Sequence, residues 1–251
     1  MKAELPAREI AAALSIPVRP EKKVNPKGCC PFPIPSGREL CQVLGMGPDE
    51  TLNPASKSAG HRIGLLGGSF NPAHGGHLHV SQQALRLLAL DEVWWLVSPQ
   101  NPLKTEDGMA PLQNRMDDAQ KLVQGQPGIT VTDIEATLGT IYTVDTLEAL
   151  IQRHPDTDFV LLAGADILEE LPRWRRWEEI FEFVPIAVFA RKPYSSSALS
   201  GLAAQRFARF RIQEEEASTL ASRAPPVWVF LHIREHSASA TAIRATPGTS
   251  K

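Results

Sequence analysis

Short apolar segments that alternate with amphipathic ones constrain the fold of this chain more than any other feature. Several apolar segments are hydrophobic at successive positions, which is typical of strands covered on both faces. The stretches between them carry apolar residues at every third or fourth position, which predicts helices. The predicted strands are Ile63–Leu66, Glu92–Val97, Ile129–Ile134, Phe159–Ala165, Ile186–Ala190 and Val227–Ile233. This alternation predicts an α/β fold, a Rossmann-like doubly wound parallel sheet that binds ligands beyond the carboxyl ends of its strands.

The N-terminal part of the 251-residue chain differs in composition from the rest. It contains all three cysteines and many prolines, in phrases such as NPKGCCPFPIPSG, which can hold a short helix but little sheet. We therefore expect residues 1–59 to be a poorly ordered N-terminal extension and residues 60–251 to form a single catalytic domain. A start assigned too early, with the protein beginning near Arg62, is an alternative that the residues leave open.

The bulk composition narrows the class of protein. A net charge of −2, with 43% hydrophobic and 22% charged residues, is ordinary for a globular domain and gives no basic surface for nucleic acid. No segment approaches the roughly 20 apolar residues of a membrane span, and the first residues do not resemble a secretory signal. Cys29, Cys30 and Cys41 fit neither a disulfide framework nor a zinc signature. We expect a cytoplasmic protein that binds neither nucleic acid nor a membrane.

A glycine-rich turn, GGSFNPAHGGHL, joins the first predicted strand to the first predicted helix. In a Rossmann-like sheet this is a position where phosphates bind. We expect Gly67 and Gly68 to let the backbone turn sharply and approach a ligand closely. A helix that starts near Gly76 would offer its unpaired N–H groups and the positive end of its dipole to an anion.

His74 and His77 lie three positions apart, which places both imidazoles on one side of the first helical turn. They could ligate a metal, cap the turn, or bind phosphate. Zinc is disfavoured because helical zinc pairs are spaced four apart, and no nearby carboxylate or cysteine completes a ligand set. We favour phosphate, because imidazole N–H groups can bind its oxygens and stabilise charge that develops on them. His79 falls on a different side of the helix and is interpreted as structural or exposed.

The turn resembles the signature G-G-[ST]-F-[DN]-P-x-H-x-G-H-L of the HxGH nucleotidyltransferase superfamily, in the form found in bacterial nicotinate-nucleotide adenylyltransferases. SATAIR, Ser239–Arg244, is similar to a second family element near the C-terminus. The resemblance covers about residues 61–244. It implies transfer of AMP from ATP to nicotinate mononucleotide, which gives nicotinate adenine dinucleotide and pyrophosphate in NAD biosynthesis. It also implies Mg²⁺, held mainly by ATP oxygens and waters.

The family motifs assign roles to residues on the ATP side. His77 would contact the α-phosphate and the charge that develops there, His74 would hold the ATP phosphates, and Arg244 would offset negative charge. The ATP-binding residues implied by the resemblance are Gly67, Gly68, Ser69, Phe70, His74, Gly76, His77, Ser239, Thr241 and Arg244. The family usually continues its last helix beyond the arginine, whereas seven residues follow it here, so docking of that helix is in doubt.

Further segments resemble the family on the mononucleotide side. SPQNPLK stands where the family has a loop that ends in a basic residue, IYTVDTL resembles its S-Y-T-x-x-T-L, and AGADILEELPRWRRWEEI resembles its G-x-D…W block. These segments imply that Trp174 stacks on the pyridine ring and that Asp166 binds a ribose hydroxyl. The implied mononucleotide-binding residues are Lys104, Thr143, Asp166, Trp174 and Arg175.

Two assignments have open alternatives. Lys104 is either a phosphate ligand or a solvated loop lysine, and Arg115 is either a matched family arginine or a surface helix residue.

Other functions remain to be weighed against this one. An enzyme of the same superfamily could transfer a nucleotide to another phosphate, such as pantetheine phosphate or nicotinamide mononucleotide. A nucleotide-binding sensor without turnover is disfavoured because the motif histidines, Lys104, Arg244 and Trp174 are all present. A class I aminoacyl-tRNA synthetase is disfavoured because the chain is short and has no K-M-S-K-S-like loop. The expected partners are ATP and nicotinate mononucleotide, with a homo-oligomer as a further possibility.

Overall fold

Seven parallel strands form one sheet in the computed structural model, which describes residues 60–99, 108–190 and 195–234. The strands are β1 His61–Gly68, β2 Glu92–Val97, β3 Ile129–Thr132, β4 Thr157–Gly164, β5 Ile186–Phe189, β6 Arg211–Ile212 and β7 Trp228–Leu231. Their order is β3-β2-β1-β4-β5-β7-β6, and every hydrogen-bonded pair is parallel. The predicted doubly wound α/β class is confirmed. The predicted N-terminal extension, residues 1–59, lies outside the described residues.

Helices connect the strands and cover the sheet. The described α-helices are α1 Gly75–Leu87, α2 Leu112–Val123, α3 Ile134–Leu138, α4 Thr143–Arg153, α5 Ala165–Glu170, α6 Trp177–Phe183, α7 Ser195–Ser200 and α8 Leu202–Arg206. Turns of 3₁₀-helix cover Leu171–Arg173, Ala208–Phe210 and Glu214–Ser222. Among these described helices, none is long and apolar enough to cross a membrane.

The sheet separates two hydrophobic clusters, as its apolar strands predict. In β4, Phe159 and Leu161 belong to one cluster, whereas Val160 and Leu162 belong to the other. All four side chains are buried, because successive residues of a strand point to opposite faces and helices cover both faces. The two-sided burial explains why this strand reads as a continuous apolar run.

The strand order reverses direction at β1. From β1 the chain adds β2 and β3 on one side, and it then crosses to the other side to add β4 and β5. In open α/β sheets a crevice forms at such a switch point, beyond the carboxyl ends of the two central strands. The turn between β1 and α1 lies at this end, so the topology brings the GGSFNPAHGGHL motif to the crevice.

Some predicted strand boundaries are wrong at their ends. The apolar run Ile129–Ile134 continues past β3, because Ile134 is already the first residue of α3. Ala165 likewise opens α5 rather than closing β4. An apolar run marks burial and does not show where the backbone changes conformation. The two-residue strand β6 was not predicted, because RI is too short to give a periodic signal.

Candidate active site

Two histidines form the N-terminal cap of α1. His74 is the N-cap residue, and its Nδ1 accepts a hydrogen bond from the N–H of Gly76 at 3.1 Å. The N–H of His74 in turn donates to Nδ1 of His77 at 3.2 Å. The two rings stack with their centroids 3.8 Å apart. The rings thus share one side of the first turn, as the spacing predicts, and they do cap it.

The cap determines which ring nitrogen of each histidine can donate. A nitrogen that accepts a hydrogen bond from a backbone N–H carries no proton, so the proton of each neutral imidazole is assigned to Nε2. An Nε2–H group can donate to an anionic oxygen, and the helix N-terminus beside it also favours negative charge. Capping and phosphate binding are therefore compatible uses of the same two rings.

Two aromatic side chains pack against the ring of His77. Phe70 is buried and stacks on Trp95 at a centroid distance of 5.0 Å, and its ring lies 4.6 Å from that of His77. The indole N–H of Trp95 donates to Ser81 at 2.7 Å, and the Ser81 hydroxyl donates to the His77 carbonyl at 2.9 Å. These contacts fix the turn of α1 that carries the imidazole, so its orientation is set before any ligand binds.

The glycines of the motif act differently from the prediction. Gly67 and Gly68 are the last two residues of β1, and the described residue of the motif with positive φ is Phe70, at 46°. The sharp turn assigned to the two glycines is therefore wrong, because the strand continues through them and the chain turns later. Close approach of a ligand stays a prediction, and there is space for it, because a Cβ added to Gly67 would meet no atom within 4 Å.

A cavity of about 190 Å³ lies beyond the carboxyl ends of β1, β2 and β4. Gly67, Gly68 and Ser69 line it from the β1 side, and Ser98 lines it from the end of β2. The turn that leads to the histidine cap is thus also a wall of the cavity. The cavity lies at the switch point of the sheet, where this class of fold binds ligands.

Trp174 and the start of α4 form another side of this cavity. Trp174 is half-buried and lines the cavity together with Tyr142 and Thr143. Thr143 is the first residue of α4, so its backbone N–H lies at a helix N-terminus, which favours a negative group. An indole face next to such an N–H can hold a flat aromatic ring that bears an acidic substituent.

Two arginines add positive charge beside Trp174. Arg175 and Arg173 both line the cavity. The guanidinium carbon of Arg175 lies 4.8 Å from the centroid of the Tyr142 ring, and its Nη1 lies 3.7 Å from an Asp145 oxygen. Arg173 was not predicted as a site residue, although its position next to a predicted stacking tryptophan is a signal that could have identified it.

Glu135 is a buried carboxyl group at the same cavity, and the sequence analysis also missed it. It lines the cavity, and only 7% of the residue is exposed. Burial raises the pKa of Glu135, and a hydrogen bond with the Ser98 side chain acts in the opposite direction. The residue belongs to α3, a five-residue helix that was not predicted, so nothing in the sequence indicated which way it would face.

Five residues of the predicted site are not among those that line the cavity, namely Phe70, His74, Gly76, His77 and Asp166. Asp166 follows β4 in the first turn of α5, and a Cβ added to Gly164 would lie 2.4 Å from its Oδ1. Asp166 is not among the residues that line the cavity, whereas its neighbour Ile167 is. His79 lies with its Nε2 2.6 Å from the carbonyl oxygen of Arg234, so it joins α1 to the segment after β7.

Four predicted residues cannot be placed relative to the cavity, because they lie outside the described residues. They are Lys104, Ser239, Thr241 and Arg244. Within the described part of the chain, no three side chains of His, Cys, Asp or Glu gather as a metal site would require.

A wider surface hollow of about 640 Å³ lies elsewhere, lined by residues that include Glu178, Arg206 and Pro226. Pro226 lies two residues before the start of β7, so this hollow lies toward the amino ends of the strands. It contains none of the predicted site residues. The smaller cavity at the carboxyl ends is the better candidate, because this fold binds ligands there.

Comparison with known proteins identifies the family of this chain. Residues 65–246 match the cytidylyltransferase-like family. A protein of Methylorubrum extorquens strain PA1 that is named as a nicotinate-nucleotide adenylyltransferase is 52% identical over 183 residues, which cover 73% of this chain and 98% of that protein. One from Parvibaculum lavamentivorans is 50% identical over 191 residues, which cover 76% of this chain and 94% of that protein. The chain belongs to the nicotinate-nucleotide adenylyltransferase family. The family inferred from the two motifs is confirmed, and so is the nucleotidyltransferase class.

A solved structure supports the same architecture. The nicotinic acid mononucleotide adenylyltransferase of Plasmodium falciparum, complexed with NaAD, superposes with a TM-score of 0.55 at 17% identity. The superposition covers 73% of this chain and 82% of the Plasmodium chain. At this identity the likeness concerns the fold. The two proteins thus share a fold although most of their aligned residues differ.

Proposed function

We propose that this adenylyltransferase-family chain transfers AMP from ATP to nicotinate mononucleotide and releases pyrophosphate. The observation that carries the proposal is the capped histidine pair, His74 and His77, on a turn that also lines the cavity of Trp174. The names of the relatives support the same reaction, and the Plasmodium protein was solved in complexes with NaAD and with APC.

The transfer needs one displacement at phosphorus. A phosphate oxygen of the mononucleotide forms a bond to the α-phosphorus of ATP, and the bond from that phosphorus to the bridging oxygen of pyrophosphate breaks. A phosphate oxygen is already a nucleophile, so no covalent enzyme intermediate is required. Catalysis then depends on alignment of the two substrates and on stabilisation of the charge that develops on the phosphoryl oxygens.

The histidine cap supplies donors for that charge. In our proposal Nε2–H of His77 donates to an oxygen of the α-phosphate, and Nε2–H of His74 donates to the ATP phosphates. Because both rings are held by backbone hydrogen bonds through Nδ1, their donors are oriented in advance. Gly67 has open space above its Cα and lets the nucleotide approach the end of β1.

The cavity beyond β2 and β4 suits the acceptor substrate. The pyridine ring would stack on Trp174, its carboxylate would meet the backbone N–H at the start of α4, and the two cavity arginines would offset negative charge. Ribose binding by Asp166 and anion binding by Lys104, Ser239, Thr241 and Arg244 remain proposals on the strength of the motifs.

We propose that ATP reacts as its Mg²⁺ complex in the cytoplasm. The described site offers N–H donors and arginines, and the carboxyl group among the cavity residues is that of Glu135. A metal bound to phosphate oxygens and water fits this donor set better than a cage of protein ligands. Magnesium would neutralise part of the triphosphate charge, and the chain would supply alignment and donors.

Pyrophosphate release tests the proposal. The purified protein is incubated with ATP, Mg²⁺ and either nicotinate mononucleotide or nicotinamide mononucleotide, and initial rates give kcat/KM for each acceptor. We expect release with nicotinate mononucleotide at the higher kcat/KM. Equal values for the two acceptors would contradict the substrate assignment. Tight ATP binding without release from either would favour a nucleotide sensor instead.

A further inference from the structure

Arg115 is a buried arginine whose contacts extend over several loops of the site. It lies in the first turn of α2, and only 3% of its surface is exposed. Its Nη1 donates to the carbonyl oxygens of Ser69 at 2.6 Å and Ser98 at 2.8 Å, and its Nη2 donates to that of Pro99 at 2.9 Å. Its Nε donates to the carbonyl of Ala110 at 2.9 Å. The alternative of a surface helix arginine is therefore wrong.

The acceptors of Arg115 come from both sides of the proposed reaction centre. Ser69 belongs to the turn that leads from β1 to the histidine cap, and Ser98 lies at the end of β2. Both line the cavity, whereas Arg115 is not among the cavity-lining residues. The guanidinium therefore lies behind the cavity lining and connects the turn after β1 to the end of β2. A backbone hydrogen bond from the N–H of Ser98 to the carbonyl oxygen of Gly68, at 3.0 Å, links the same two segments directly.

The chemistry of this environment requires an arginine. Burial lowers the pKa of Arg115, and within the described residues no carboxylate offsets this effect. Removing a cation from water is unfavourable, so hydrogen bonds to neutral carbonyls must compensate for the loss. A planar guanidinium carries five N–H donors in a fixed fork and can serve all four carbonyls. A lysine ammonium carries three donors on one nitrogen and cannot span the same positions.

We infer that Arg115 is a positioning residue for the adenylyl transfer. It fixes the carboxyl ends of β1 and β2 relative to each other. The position of the proposed α-phosphate site relative to the acceptor cavity is thereby fixed as well. An in-line displacement depends on that distance, and a misplacement of about 1 Å can cost about 100-fold in rate. The inference rests on the proposed function, because it assigns Arg115 to the alignment of those two substrates.

The test compares Arg115→Lys with wild type in steady-state kinetics and thermal unfolding. Arg115→Gln is the second variant, and all assays are run at a temperature at which circular dichroism shows each variant folded. We expect kcat to fall about 100-fold while the KM values for ATP and for the mononucleotide change little. Arg86→Lys is the matched control, because Arg86 is exposed in α1 and contacts Gln83. It should retain wild-type kinetics.

Chemical rescue separates positioning from general loss of structure. In Arg115→Ala, added guanidinium ion at millimolar concentration should restore part of kcat, and ammonium at equal ionic strength should not. A folded Arg115→Lys variant with wild-type kcat would overturn the inference, and so would an effect confined to the KM of one substrate. Inactivity of the wild-type protein would instead overturn the proposed function, so the two failures are distinguishable.

Discussion

At the scale of single residues, each imidazole of the cap has two uses. Nδ1 accepts a backbone hydrogen bond that closes the start of α1, and the proton of the neutral ring is thereby assigned to Nε2. The spacing of His74 and His77 predicts that the rings share a side. It does not predict which nitrogen is engaged, because that depends on the backbone geometry of the turn. The structure shows the capping, and phosphate binding by the same rings stays a prediction that the cap leaves compatible.

Two substitutions at His77 separate these uses. Asn places a carbonyl oxygen near the position of Nδ1 and can keep the cap, but it cannot place a donor at the position of Nε2. Ala removes both the acceptor and the donor. We expect His77→Asn to unfold at nearly the wild-type temperature and to lose at least about 100-fold in kcat, the scale of a lost oxyanion donor.

His77→Ala removes both uses. It should lose about 0.5–2 kcal/mol in the free energy of unfolding, as other lost helix caps do, and at least as much activity as His77→Asn. Urea unfolding and initial-rate assays on both variants provide the check. Comparable activity in His77→Asn and wild type would contradict the donor role.

Gly67→Ala tests close approach of the nucleotide to β1. A Cβ at this position meets no protein atom within 4 Å, so we expect the thermal unfolding temperature to stay unchanged or to rise slightly. The same methyl group would occupy space in the cavity, so the KM for a substrate should increase. Gly64→Ala is the contrasting control, because its Cβ would lie 2.8 Å from Leu90 and should lower stability. An unchanged KM in folded Gly67→Ala would argue against close approach.

At the scale of elements, the sequence predicts more about the central strands than about the site. The runs around β1, β2, β4 and β5 are recognisable because burial on both faces makes them continuously apolar. The short helix α3 and strand β6 carry no such signal. Glu135 was therefore missed, and Arg115 could not be distinguished from a surface residue, because helix periodicity does not show what a helix packs against.

An ion pair at the start of the first two strands makes the stability of the fold depend on pH. Asp91, just before β2, accepts hydrogen bonds from the N–H, Nε and Nη2 of Arg62 in β1. These bonds lower the pKa of Asp91 to about 2. Because the folded pKa lies below the unfolded one, the stabilisation is present at neutral pH and is lost as the pH falls from about 4 toward 2.

Asp91→Asn measures this contribution. Both side chains are about one-third exposed, at 34% and 36%, so we expect a loss of about 1 kcal/mol or less at pH 7. The difference from wild type should shrink as the pH approaches 2, in urea unfolding measured at several pH values. A difference that persists at pH 2 would mean that the hydrogen bonds of Asp91 do not depend on its charge.

At the scale of the whole molecule, the sheet order assembles the site from distant parts of the chain. Gly67, Ser98 and Trp174 meet at one cavity because β1, β2 and β4 are neighbours with their carboxyl ends aligned. The family motifs predict that Gly67 and Trp174 belong to one site. Their arrangement requires the topology, since only the switch between β2 and β4 around β1 places the two halves side by side.

Removal of residues 1–58 is expected to leave the enzyme active. The Methylorubrum relative is covered over 98% of its length by 73% of this chain, so that relative has no counterpart of the remainder. A protein that begins at Ala59 should retain the thermal unfolding temperature and kcat/KM of the full chain. A protein that begins at Leu65 loses half of β1 and should not fold. Loss of activity in the first truncation would show that the N-terminal residues contribute to the enzyme.

The central claim is adenylyl transfer to nicotinate mononucleotide at the histidine-capped turn. The most direct measurement is a competition in which ATP, Mg²⁺ and equal concentrations of nicotinate and nicotinamide mononucleotides react together. Liquid chromatography with mass spectrometry quantifies both dinucleotides, and an enzymatic assay quantifies pyrophosphate. We predict nicotinate adenine dinucleotide as the main product, equimolar with the pyrophosphate released. Absence of either dinucleotide, or nicotinamide adenine dinucleotide as the main product, would contradict the account.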